Sequence, residues 1–77
     1  MSNLQAKRKA AGLTQQQLAE GARISLRTLQ YYEQGVLDIN KAAAGTVYRL
    51  AASLGCRMHE LLELGSIFDA FIDGGEA

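Results

Sequence analysis

The stretch from Thr14 to Gly35, TQQQLAEGARISLRTLQYYEQG, limits what this chain can fold into more than any other. Thr14 is a good helix N-cap, and Gln17 follows at the spacing at which the two side chains satisfy each other's backbone N–H groups, a capping box. A helix should run from there to about Ala22, with Leu18 and Ala19 facing inward. Ser25 is placed to cap a second helix that ends near Gly35. Only Ala22-Arg23-Ile24 separates the two, and helices joined by about three residues cross steeply.

The rest of the chain repeats the helical spacing and offers no alternating strand. A first helix is expected over Leu4 to Ala11, stopped by Gly12. After an irregular connector from Val36 to Asn40, in which Asp38 or Asn40 can cap the next helix, a fourth should occupy Lys41 to Leu54. Its Ala43, Val47, Leu50, Ala51 and Leu54 recur at spacings of three and four, and Gly45 within it points to a close helix approach. Gly55 ends that element. A fifth helix is predicted from Met58 to Leu64, with Leu61, Leu62 and Leu64 inward, and a short sixth after Gly65. The prediction is an all-α bundle: one domain over residues 1–65, then a helical extension and frayed tail over 66–77. A 77-residue chain leaves about 40% of its unfolded surface exposed when it folds, too little core to wall a large catalytic cleft.

Within the helix from Ser25 to Gly35, Leu29 and Tyr32 share an inward face, which leaves Leu26, Arg27, Gln30 and Tyr31 on other faces. A helix projected by a steep crossing has the geometry to enter a DNA major groove of about 12 Å. There Arg27 can donate two parallel hydrogen bonds to guanine, Gln30 can pair with adenine or a phosphate, Leu26 can touch a thymine methyl, and Tyr31 offers a hydroxyl and a ring. Net charge is zero, yet residues 1–49 hold seven basic and three acidic side chains, and residues 50–77 hold one and five. One end of the molecule is then positive and the other negative.

The segment LTQQQLAEGARISLRTLQYYEQG, with LQAKRKAAG before it and LAASLGCRMHELLE after it, resembles the helix-turn-helix of phage repressor and Cro-like proteins, the XRE family, over residues 4–63. The resemblance implies a lambda-repressor-like bundle of five helices, with helices two and three forming the motif. It implies that Gln15 contacts a backbone phosphate and steadies the first side chain of the recognition helix. Leu26, Arg27 and Tyr31 would address base edges, Thr28 with Ser25 beside it would meet phosphate, and Arg8 and Glu33 would form an ion pair linking helix one to helix three. With Arg8 so used, Lys7 or Lys9 is left for phosphate contact. Arg23 stands where the family has a turn glycine, which predicts either a strained turn or a different geometry, with the glycine's freedom moved back to Gly21.

By the same resemblance the chain is a sequence-specific regulator of transcription, a repressor, binding double-stranded DNA as a homodimer; an antitoxin that grips a toxin protein is the alternative. Ile67, Phe68, Phe71 and Ile72 are expected to form the contact between the two copies, the alternative being that they close over the fifth helix of their own chain. Cys56 and His59 are too few for a zinc site, so Cys56 is read as a small buried apolar residue, and neither a metal nor a cofactor is expected. With one histidine and no phosphate-loop spacing, no catalytic constellation is found. A single cysteine, no basic leader and no long apolar run predict a cytoplasmic protein without a membrane partner.

Overall fold

A computed structural model describes residues 2–63. They form four α-helices, α1 (Asn3–Ala10), α2 (Gln15–Ala22), α3 (Leu26–Gln34) and α4 (Ala44–Leu54), with 3-10 turns at Ile39–Lys41 and Met58–Leu61. The short sixth helix and the residues Ile67, Phe68, Phe71 and Ile72 assigned to a dimer contact lie outside the described residues. The core takes one fully buried leucine from each of five elements: Leu4, Leu18, Leu29, Leu50 and Leu61. Ala19, Ala22, Ile39, Val47 and Ala51 fill the space between them.

Side-chain caps start the first three helices. Ser2 Oγ accepts from the Gln5 N–H, Thr14 and Gln17 form the full capping box, and Ser25 Oγ accepts from the Thr28 N–H. All four helices end alike, each with a left-handed residue followed by an N–H that reaches back to a carbonyl five positions earlier. The left-handed residue is Gly12, Gly35 or Gly55 after α1, α3 and α4, but Arg23 after α2, at φ 59° and ψ 40°. Its turn therefore keeps the geometry of the other three and carries the strain of a Cβ, about 1–2 kcal/mol. Leu13, Ile24 and Cys56, which follow the left-handed residue in three of these caps, pack against the core.

Gly21 serves packing and not chain freedom, contrary to the expectation from the sequence. It lies inside α2, and a Cβ there would come within 2.7 Å of Ser53 Oγ on α4. The close approach expected at Gly45 is absent; a Cβ at that position would meet only the Arg49 guanidinium, at 3.4 Å.

Two helices are shorter than predicted, for tertiary reasons. Lys41 to Ala43 do not join α4, because Asp38 takes the Asn40 N–H and turns the chain so that Ile39 enters the core. Ala42 and Ala43 are extended, and Ala43 is exposed. The fifth helix is only the 3-10 turn Met58–Leu61, since the next backbone groups are drawn away from it. Asn3 donates to the Leu62 carbonyl at 2.7 Å, and Asn40 exchanges two hydrogen bonds with the Glu63 backbone at 2.9 and 3.2 Å.

Candidate nucleic-acid interface

The α2–α3 unit is seated by Leu18, Ala19, Ala22 and Leu29, all buried. With that side of α3 committed to the core, Leu26 and Tyr31 are each 36% exposed and Arg27 is exposed beside them. Tyr32 is half-buried against the core, so the two adjacent tyrosines divide between inside and outside. Ser25 Oγ, besides capping α3, donates to Thr28 Oγ1 at 2.8 Å, which holds both hydroxyls at the amino end of the helix. Leu26, Arg27 and Tyr31 thus belong to one exposed surface, with Ser25 and Thr28 at its end.

Behind that surface runs a chain of hydrogen bonds. Arg8 of α1 donates through Nε to Glu33 Oε2 at 2.7 Å and through Nη2 to Oε1 at 3.2 Å, while its Nη1 donates to the Leu13 carbonyl at 2.9 Å. The Glu33 side chain is 2% exposed, so this is a desolvated pair in which both oxygens are used. Gln15 at the start of α2 donates from Nε2 to Glu33 Oε1 at 3.0 Å, and its Oε1 accepts from Gln30 Nε2 at 3.2 Å. Gln15 is therefore joined to Gln30, in the middle of α3, and has no hydrogen bond to the first residue of that helix, which is Leu26. Gln30 is half-buried and bound at one end.

The basic side chains separate by task. Lys7 Nζ pairs with Glu60 at 3.0 Å, tying α1 to the Met58–Leu61 turn. The Arg57 N–H and Lys7 together hold the Glu60 carboxyl below its ordinary value. Arg49 Nε donates to the Ala22 carbonyl at 2.8 Å, a cation at the negative end of α2 and one that the sequence reveals only as charge. No local spacing marks a guanidinium that reaches the end of another helix. Lys9, Arg23 and Arg27 are exposed, and no described acid lies within ion-pair distance of them. Cys56 is a free, half-buried thiol; burial and the Glu60 carboxylate push its pKa up, with Lys7 opposing. Among the described residues no three of His, Cys, Asp and Glu come together to hold a metal, and no helix is long and apolar enough to cross a membrane.

A family model described as helix-turn-helix matches residues 4–61. No curated protein and no solved structure matches the chain.

Proposed function

Since the chain belongs to the XRE-type helix-turn-helix family, whose domains are non-catalytic DNA-binding modules, we propose that it is a sequence-specific transcriptional repressor that lays α3 in the major groove. The observation that carries this reading is the exposed face of Leu26, Arg27 and Tyr31 on a helix whose opposite side is locked into the core. Arg27 reads guanine through two N–H groups, and Leu26 and Tyr31 make contacts of shape and methyl. Ser25, Thr28, Lys9 and the α2 terminus at Gln15 meet phosphates; Lys7, already paired with Glu60, ranks behind Lys9. One helix covers only a few base pairs, so two copies would act together through Ile67, Phe68, Phe71 and Ile72, on half-sites about 34–36 Å apart. The test is selection of bound sequences from a randomised duplex pool by the full chain, followed by titration of the winner at rising salt. Log affinity should fall against log salt with a slope of about 0.9 per phosphate contacted. No enriched sequence and a flat salt response would overturn the proposal.

A further inference from the structure

Tyr48 and Ala52 stand four residues apart and so share one side of α4, next to the side whose Val47, Leu50 and Ala51 are buried in the core. Tyr48 is 62% exposed, and the small alanine beside it leaves an open groove against the segment that follows α4. Cys56, Arg57, Met58 and His59 complete the lining, and the groove holds about 630 Å³. Its surface is mainly carbon; Arg57 and His59 add basic groups, and none of the lining residues is acidic. Such a surface suits an apolar segment that carries acids.

The sequence beyond Glu63 has that composition. Residues 64–77 contain three acids, Asp69, Asp73 and Glu76, and no base. At helical spacing Ile67, Phe68, Phe71 and Ile72 fall on one side, with Asp69 and Asp73, four apart, on another. We propose that the groove of each copy receives residues 67–72 of a second copy, so that two chains exchange their C-terminal segments, with the apolar side against Tyr48 and Met58 and the acids toward Arg57 and His59. Glu63 leaves the domain elsewhere: Asn40 holds its N–H and its carbonyl, the Asn3 N–H holds its carboxylate, and the pocket it borders shares no lining residue with the groove. Only Leu64, Gly65 and Ser66 separate Glu63 from Ile67, about 13 Å of extended chain. A return across the Met58–Leu61 turn to the chain's own groove would use up that length, whereas a second copy can be met without reversal. Two-fold pairing makes the exchange reciprocal, each copy giving a segment and a groove. This inference rests on the two-copy reading above and names the surface that receives the segment.

Cys56 is the one cysteine of the chain and lines the groove, so a thiol reagent reports on this site alone. In the full-chain wild type its reaction should slow several-fold as protein concentration rises through the monomer–dimer transition, followed in parallel by sedimentation equilibrium. Equal reactivity in monomer and dimer would mean an empty groove and overturn the inference alone. A monomer at every concentration, with the thiol at one fixed rate, would overturn the inference and the two-copy reading together. Two variants of the full chain then test the halves of the contact. Ala52→Glu, at an exposed helical position, fills the groove and sets a negative charge against the acidic segment, and Phe71→Glu spoils the segment. Each alone should be monomeric at concentrations where wild type is a dimer. A mixture of the two should recover association, because an intact segment then meets an intact groove. A dimeric Ala52→Glu would show the segments meeting each other, and a mixture that stays monomeric would show no exchange; either overturns the inference while two copies remain. The thiol measurement on wild type needs no substitution and decides the matter if a variant fails to fold.

Discussion

Arg8 and Glu33 meet side by side, Nε to Oε2 and Nη2 to Oε1, with 11% and 2% of their side chains exposed. The pair joins α1 to α3, and Glu33 also accepts from Gln15 of α2, so one carboxylate links three helices. Removing it leaves a buried guanidinium and an amide without their acceptor. Glu33→Ala should therefore cost about 3–5 kcal/mol, read as a large drop in the denaturant midpoint with little change in slope. An unchanged midpoint would show that the pair contributes nothing to the fold.

The left-handed conformation of Arg23 predicts a gain from substitution. Glycine carries no Cβ penalty there, and after allowance for its greater freedom in the unfolded chain, Arg23→Gly should stabilise by about 1 kcal/mol. In a domain of this size that raises the melting temperature by about 4–8 °C. A fall in melting temperature would mean that the arginine side chain makes a stabilising contact larger than the strain.

Gly21 and Ser53 should be coupled. Alanine is favoured over glycine in a helix by about 1 kcal/mol, but the new Cβ would lie 2.7 Å from Ser53 Oγ and 3.3 Å from Ser53 Cβ. Gly21→Ala alone should give no gain in stability, whereas the same change in a Ser53→Ala background should recover part of the helix preference. The double-mutant cycle should show a coupling of about 0.5–1 kcal/mol. Simple additivity would place the contact elsewhere.

Glu60 predicts an acid limb. Its carboxyl titrates lower in the folded protein than in the unfolded chain, because the Arg57 N–H and Lys7 favour the charged form. The unfolded state thus takes up the proton first. The stability Glu60 contributes is present above the ordinary carboxylate range and is lost as pH falls through the lowered folded value. Thermal melts from neutral pH down to about pH 3 should show a shallower decline for Glu60→Gln than for wild type. Identical declines would assign the acid sensitivity to other groups.

Arg27→Ala should separate sequence reading from charge. On the selected duplex it should lose about 1–3 kcal/mol of binding, with little change on random DNA. Equal losses on the two would make Arg27 a phosphate contact, and Lys9→Ala is the control in which equal losses are expected.

The features legible along the chain lie within a few residues of the signals that encode them. The acceptors at Thr14 and Ser25 define where α2 and α3 begin, because a cap bonds N–H groups two or three positions on. Gly12, Gly35 and Gly55 mark helix ends because a left-handed residue is a local demand. The period of α3 likewise separates Leu29 and Tyr32 from Leu26, Arg27 and Tyr31. Packing in three dimensions settled the features whose partners are distant along the chain. Asn3 and Asn40 capture the backbone of Leu62 and Glu63, which limits the expected fifth helix to a 3-10 turn. Ser53 explains Gly21, and Arg49 finds the end of α2. Arg23 adopts the conformation that glycine would take more cheaply, since Ile24 beyond it packs against the core. Gln15 meets Gln30 only because the buried Glu33 orients the amide between them, a relation that no spacing along the chain encodes.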